Sequence, residues 1–201
     1  MVYLLRPTSR RFKWDKTDGI FHATHGKKNL GIPLTAADIP LEVTMKGNFV
    51  LPDFVQSQMG SIFVTDRALE ALERLAPGCC QFFPVKINAP PRMEPALMYY
   101  YLDVTARAQS IDWTRSETLK RVIPAPGGGE SRALKGGADG PYAKFRLLIN
   151  TDPPIWREAD AEIDGIHYFN NKLDEFMNDD LWQALSAEFP GQLEAMKLGE
   201  E

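Results

Sequence analysis

The chain has 201 residues, of which 44% are hydrophobic and 25% are charged, and its formal net charge is −4. This length and composition are those of an ordinary globular protein that can bury a substantial core. No apolar run approaches the length that spans a bilayer, and the opening Met1–Leu5 segment is too short for a signal peptide, so the expected location is the cytoplasm.

The first sixty residues predict short elements. Tyr3-Leu4-Leu5 has the composition of a short strand. Residues 26–60 are rich in glycine and proline, which favours loops and short strands packed on a core built elsewhere. The segment from Pro52 to Gln56 is compatible with a helical turn, because proline is favoured at a helix start.

A strand, an N-cap and a short helix are predicted next. Residues 61–64 are extended, and Thr65 is an N-cap residue that precedes Asp66, whose charge suits the positive end of the helix dipole. Leucine and alanine recur with helical spacing until Pro77-Gly78, which stops the helix. Residues 81–87 then predict a second strand.

The middle of the chain contains the strongest strand and the longest loop of the prediction. Residues 98–104 are dense in tyrosine and other β-favouring residues without a polar alternation, which predicts a central strand buried on both faces. Residues 124–141 hold six glycines and three prolines, which predicts a long flexible loop. Residues 143–149 then predict a further strand.

The first helical motif returns later in the chain. Residues 63–72 align with 176–185 without a gap, and at the same offset Pro77-Gly78 aligns with Pro190-Gly191. Asn178 thus takes the place of Thr65 as the predicted N-cap of a second helix. The repeat indicates that two similar lobes share one core.

These elements predict an α+β fold in a single domain that spans residues 1–201. The two capped helices of the repeat pack on a mostly antiparallel sheet. Its expected strands are residues 61–64, 81–87, 98–104 and 143–149.

Metal and nucleophile chemistry have little support in the sequence. His22 and His25 would share a face on a helix and could hold zinc, but the glycines and lysines around them argue against a helix. No serine lies in a nucleophile motif. The adjacent Cys79 and Cys80 fit a strand start in a reducing compartment. No catalytic residue, metal ligand or cofactor is predicted.

Four acidic residues alternate near the C-terminal third of the chain, and in an extended segment they would share one face: Glu158, Asp160, Glu162 and Asp164. Three interpretations remain open. The carboxylates could act in acid–base or metal chemistry, solvate an edge and block strand pairing, or bind the basic cleft of a partner such as a nuclease. Nucleic-acid binding itself is disfavoured because the chain as a whole is acidic.

Several of these segments together resemble a known family. They are Asp53-Phe54-Val55, the strand and cap from Ile62 to Asp66, Gln81 to Val85, Tyr99 to Val104, Ile111-Asp112, and Phe176 to Asp179. In these segments the chain resembles immunity-protein family eleven of bacterial polymorphic toxin systems, formerly a domain of unknown function. The resemblance covers roughly residues 50–115 and 143–186. The chain departs from the family in its long 124–141 segment and in a weak final strand near 192–195.

The resemblance implies a cytoplasmic, non-enzymatic protein that neutralises a cognate toxin domain by direct binding, with no cofactor and no role for nucleic acid or membrane. It brings no catalytic residues, and the four alternating carboxylates are the candidate binding surface. Two other functions are weighed against it. One is a structural module that self-associates through a sheet edge, and the less favoured one is a metal-dependent hydrolase that uses His22 and His25.

Overall fold

The computed structural model describes thirteen ranges of the chain, which are residues 1–9, 12–13, 19–29, 32–40, 42–45, 52–57, 60–88, 98–115, 120–124, 130–134, 146–147, 152–169 and 174–198. The helices in them are α1 (Gly19–Asn29), α2 (Asp66–Leu75) and α3 (Asp179–Glu188), with a 3-10 turn at Ala36–Asp38. The strands, in chain order, are β1 (Val2–Leu4), β2 (Phe12–Lys13), β3 (Glu42–Met45), β4 (Phe54–Gln56), β5 (Ile62–Thr65), β6 (Cys80–Asn88), β7 (Tyr99–Val104), β8 (Arg107–Ala108), β9 (Ile111–Asp112), β10 (Lys120–Pro124), β11 (Glu130–Leu134), β12 (Arg146–Leu147), β13 (Ile155–Glu158), β14 (Ala161–Ile163), β15 (Ile166–Phe169), β16 (Glu175–Asn178) and β17 (Lys197–Leu198). The predicted α+β class is confirmed.

The chain divides into two compact units. The first comprises Met1–Leu5, Ala106–Trp182 and Ala195–Glu201, and the second comprises Arg6–Thr105 and Gln183–Glu194. Each unit therefore draws on distant parts of the sequence. That the whole chain behaves as a single domain stays a prediction.

The second unit contains a six-stranded sheet with the order β2-β3-β6-β7-β5-β4. Its strand β7 pairs antiparallel with β5 on one side and β6 on the other, as the unbroken run of aromatic residues predicts. Tyr99 and Tyr101 are fully buried, and the Tyr101 ring meets Phe63 of β5 edge to face at 5.6 Å between centroids. Helix α2 buries Ala68, Ala71 and Leu72, the apolar stripe that the helical spacing predicts.

Two segments among the first sixty residues differ from the prediction. Residues 19–29 form helix α1 despite their glycines, and residues 54–56 form strand β4 rather than a helical turn. Contacts distant in sequence stabilise α1. Buried Thr24 bonds to the Asp38 carbonyl, and buried Lys28 lies 3.8 Å from the Asp103 carboxylate and 5.4 Å from the Tyr101 ring centroid. Helix propensity depends only on the local sequence, so it does not account for partners that are distant along the chain.

The first unit contains a five-stranded sheet with the order β17-β1-β16-β13-β8. Its core stacks Trp156 of β13 near Phe176 of β16, with 6.0 Å between ring centroids, and both side chains are fully buried. Each such aromatic side chain contributes about 1.5–3 kcal/mol by burial. The predicted strand at the N-terminus is confirmed as β1.

The helix starts of the predicted repeat are confirmed. The Thr65 hydroxyl accepts a hydrogen bond from the Ala68 amide at 3.5 Å, and the Asn178 side-chain oxygen accepts one from the Leu181 amide at 2.9 Å. Both caps satisfy an amide that the first turn of a helix leaves without a backbone partner.

The helix ends repeat as well. The amides of Ala76 and Phe189 each donate to the carbonyl four residues earlier, at 2.8 Å in both cases. Gly78 and Gly191 follow with φ of +72° and +74°. This left-handed conformation costs glycine nothing, which explains the repeated Pro-Gly stop.

The weak strand expected near residues 192–195 is reduced to an isolated bridge between Leu193 and Pro7, and the two-residue strand β17 follows it. The Thr8 amide donates to the Gln192 carbonyl at 2.9 Å, just as the Thr105 amide donates to the Cys79 carbonyl at 2.8 Å. Further along, β17 pairs antiparallel with β1. The duplication therefore extends beyond the helix into the segment that follows it.

The prediction of a long loop over residues 124–141 is wrong in part. Residues 130–134 form β11, which pairs antiparallel with β10 and parallel with β15 in a four-stranded sheet of order β10-β11-β15-β14. Ser131 in β11 is buried, so this segment is packed in the structure. Its glycine-rich composition does not indicate this. Residues 125–129 and 135–141 lie outside the described residues.

One expected strand joins a different sheet from the one predicted. Of residues 143–149, only 146–147 are described, and they pair with β9 in a two-stranded sheet rather than with β5, β6 and β7. Pairing partners distant in sequence are not encoded in the local alternation of residues, which is why the strand was predicted and its sheet was not.

Candidate partner-binding surface

A two-residue turn shapes the acidic part of the first unit. Asp164 and Gly165 have φ of +51° and +74° and connect β14 to β15 in an antiparallel hairpin, in which Ile163 faces Ile166. Aspartate followed by glycine is a favoured pair for such a turn, because both positions need a positive φ. The hairpin leaves Glu162 and Asp164 exposed to solvent.

The expectation that four alternating carboxylates share one exposed face is wrong for one of them. Asp160, Glu162 and Asp164 are exposed, but Glu158 at the end of β13 is only 3% exposed. The segment is not one extended strand, since β13 ends at Glu158 and β14 begins at Ala161. The break changes the face on which the following residues lie.

Buried Glu158 holds a neighbouring stretch of backbone. Its carboxylate oxygens accept hydrogen bonds from the Ser110 amide at 3.0 Å and from the Ile111 amide at 2.9 Å, and the Ser110 hydroxyl also bonds to it. The Trp156 indole donates to that hydroxyl at 3.0 Å. One carboxylate thus fastens residues 110–111 to β13.

Burial dominates the ionisation of this carboxyl group. The pKa of Glu158 is raised from 4.5 to about 7, chiefly by desolvation and to a smaller extent by the nearby negative charge of Asp160. The hydrogen bonds from Ser110 and Ile111 act in the opposite direction without cancelling the effect. The protonated and ionised forms are therefore both populated near neutral pH.

An open cleft of about 200 Å³ lies between the fastened stretch and the hairpin. Apolar and polar side chains share its lining, which consists of Gln109, Ile111, Asp112, Trp113, Thr114, Ala161, Glu162 and Ile163. The Asp112 carboxylate accepts hydrogen bonds from the Thr114 hydroxyl at 2.8 Å and from the Arg115 amide at 3.1 Å. The pKa of Asp112 is lowered, chiefly by the hydrogen bond from the Thr114 hydroxyl. The cleft therefore holds an ionised carboxylate at neutral pH.

This arrangement suits recognition of a cation better than covalent chemistry. Asp112 and Glu162 supply negative charge, while Ile163 supplies apolar surface for the aliphatic part of a lysine or arginine side chain. Asp160 adds an exposed charge beside the cleft, 3.1 Å from the His167 ring nitrogen. The cleft could accept a basic side chain from a protein partner.

The described residues contain no alternative site that could bind a metal ion. They contain no group of three or more histidine, cysteine, aspartate or glutamate side chains placed to hold a metal ion. His22 and His25 do lie on a helix, α1, contrary to the sequence expectation, and the side chain of His22 is outside the described part of the chain. Neither Cys79 nor Cys80 forms a disulfide.

No helix in the described ranges is long and apolar enough to cross a membrane. Sequence reasoning also missed Ser110 and Asp112, which shape the cleft. The Asp164-Gly165 pair was a usable signal for the hairpin, whereas nothing local to Ser110 indicates that it binds a carboxylate on a distant strand.

Comparison with known proteins bears on what such a surface serves. No curated protein gives a significant match to the chain. A family model described as "Immunity protein family (Imm11)" matches residues 13–141, which is more than half of the chain. The match includes the first stretch of the sequence resemblance, residues 50–115, and leaves the second, 143–186, outside. The chain belongs to the Imm11 immunity protein family.

Proposed function

We propose that this protein neutralises a cognate toxin domain by binding it directly in the cytoplasm, as one component of a bacterial polymorphic toxin system used in competition. Membership of the Imm11 immunity protein family carries the proposal. The protein acts as a stoichiometric inhibitor and not as an enzyme, and its partner is a protein rather than nucleic acid or a membrane. Cys79 and Cys80 form no disulfide, which is compatible with a reducing compartment.

The surface we assign to toxin binding consists of the acidic cleft and of three exposed carboxylates, which we call its rim. Asp160, Glu162 and Asp164 are retained from the four candidate carboxylates, since each is exposed to a partner. Glu158 is buried and would contribute indirectly, because it holds Ser110 and Ile111 in place. Charge complementarity of this kind accelerates association and selects among partners.

The proposal predicts a salt-dependent encounter with a basic region of the toxin. Exposed charges steer association strongly at low ionic strength, and this effect weakens as salt screens them. The double variant Glu162→Gln/Asp164→Asn removes two rim charges. It keeps the hairpin turn, because asparagine tolerates the positive φ of residue 164. We expect about a tenfold slower association at low salt and a flatter salt dependence.

A matched control removes the same charge elsewhere. Glu70 and Glu73 are exposed on α2, so Glu70→Gln/Glu73→Gln changes the net charge equally without touching the cleft. Association rates would be measured by stopped flow with the toxin domain encoded beside this protein, across a salt series. Equal rates for both double variants would exclude the acidic rim as the binding surface, whereas absence of any complex would contradict the immunity function itself.

A further inference from the structure

The Glu158 carboxyl group is a buried titratable group that carries a structural contact. It accepts from two consecutive backbone amides, those of Ser110 and Ile111, and Ile111 lines the open cleft. Residues 110 and 111 of the cleft wall are therefore bonded to β13 through a group whose charge can change.

The hydrogen-bond network fits both states of this group. When ionised, the carboxylate accepts from both amides and from the Ser110 hydroxyl, which in turn accepts from the Trp156 indole. When protonated, one oxygen still accepts from the amides while the other donates to the Ser110 oxygen. Protonation thus removes the buried charge and leaves both amides satisfied, while the Ser110 hydroxyl loses Glu158 as the acceptor of its own proton.

Hydrogen bonds compensate the ionised state, but no opposite charge in the described ranges does so. No cation of the described residues forms an ion pair with the Glu158 carboxylate, and the Arg107 guanidinium donates instead to the Glu158 backbone carbonyl at 3.4 Å. The charged or titratable side chains on the elements around Glu158 are Arg107 on β8, Asp112 on β9, Arg157 on β13, Asp160 after it, Glu162 on β14, His167 on β15 and Glu175 on β16. Of these, Asp160 opposes ionisation by its negative charge.

We propose that Glu158 is a pH-sensitive latch of the cleft wall. With the carboxyl group protonated, residues 110 and 111 stay bonded to β13. Ionisation favours local opening, because the charge gains hydration when the wall moves away. The structure contains both parts of such a latch, which are a buried carboxyl group and a backbone segment bound by that group.

The sign and size of the effect follow from linkage. The folded pKa of about 7 lies above the ordinary 4.5, so the closed form holds its proton more tightly than the open form. Stability of the closed wall is complete below pH 4.5 and falls as pH rises toward 7. The opening equilibrium should increase by about 80-fold between pH 4.5 and pH 7.

The test uses the isolated full chain. The carboxyl carbon signal of Glu158, assigned by its loss in Glu158→Gln, should titrate in the wild-type protein with a midpoint near pH 7. A midpoint at or below the ordinary value of 4.5 would overturn the proposal, and this reading needs only the wild-type fold.

Hydrogen exchange gives the second readout. After correction for intrinsic exchange, opening at the Ser110 and Ile111 amides should rise by on the order of 50- to 100-fold from pH 5 to pH 8. Glu158→Gln, which mimics the protonated form, should abolish the rise, and Glu162→Gln should retain it. A wild-type protein without the rise would contradict the latch.

Any consequence for toxin binding rests on the proposed function, since the fastened wall lines the proposed binding surface. Neither readout involves a toxin. A failed titration would leave the immunity proposal intact, and a missing toxin complex would leave the latch intact.

Discussion

The side-chain amide of Gln192 donates a hydrogen bond to the Asp53 carboxylate at 3.0 Å, and its oxygen accepts one from the Phe54 amide at 3.1 Å. Asp53 also accepts from the Thr65 hydroxyl at 2.6 Å, so the turn after the second helix of the repeat is bonded to the N-cap of the first helix. Such a contact links two segments that are distant in sequence within one unit.

Replacing Gln192 by alanine should lower the free energy of unfolding by about 1.5–3 kcal/mol, because a buried amide and a carboxylate each lose a partner. Gln81→Ala, at an exposed glutamine of β6, is the matched control and should change the free energy by less than about 0.5 kcal/mol. Urea unfolding of both variants measures the difference. Equal stability of the two would show that the Gln192 contacts contribute nothing.

The two N-caps should contribute unequally. Thr65→Ala and Asn178→Ala each remove a cap worth about 1 kcal/mol. Thr65→Ala should cost more, since the Thr65 hydroxyl also donates to Asp53. Thr65→Ser and Asn178→Asp keep a capping oxygen and should recover most of the loss in thermal unfolding. A larger loss at Asn178 than at Thr65 would contradict this ranking.

Replacing glycine by alanine should lower the stability at the turns and raise it inside a helix. Gly78→Ala and Gly191→Ala should each destabilise by about 1–2 kcal/mol, because their positive φ disfavours a side chain. A Cβ atom at either position meets nothing within 4 Å, so the cost is conformational. Gly26→Ala, inside α1 with equal space around it, should instead stabilise by about 0.5–1 kcal/mol. Destabilisation by all three would contradict this account.

Comparison of these residues shows what the sequence can predict. Thr65, Asn178 and the Pro-Gly stops act on their own neighbours, so local patterns predicted both helices and their bounds to within about two residues. Helix α1 depends on Asp38 and Asp103, which lie on other elements, and local propensity opposed it.

The candidate surface was predictable only in its exposed part. Asp160, Glu162 and Asp164 lie where a run of alternating charge suggests, at or beside a hairpin. Glu158 shares that run but is buried, because its partners Ser110 and Ile111 come from a distant strand segment. No local pattern distinguishes a buried carboxylate with distant donors from an exposed one.

Asp38 should give the protein an acid-sensitive contact. The Lys27 ammonium, 2.6 Å away, and the Thr35 hydroxyl and amide hold the pKa of Asp38 at about 2, below the ordinary 3.8. Since the folded pKa is depressed, this stabilisation is present above pH 3.8 and is lost as pH falls through 2.

The variant Asp38→Asn removes that titration. Its urea midpoint should lie below that of the wild type at pH 5, and the difference should shrink as pH approaches 2. Parallel stability curves for the two proteins over this range would show that Asp38 does not gain its stabilisation by remaining ionised.

The most direct test of the account is coexpression with the protein encoded next to this one, followed by growth measurement and purification. We predict rescue of growth and a stable one-to-one complex, with rescue weakened by Glu162→Gln/Asp164→Asn and unaffected by Glu70→Gln/Glu73→Gln. A toxic neighbour that neither binds this protein nor is neutralised by it would contradict the proposed immunity function.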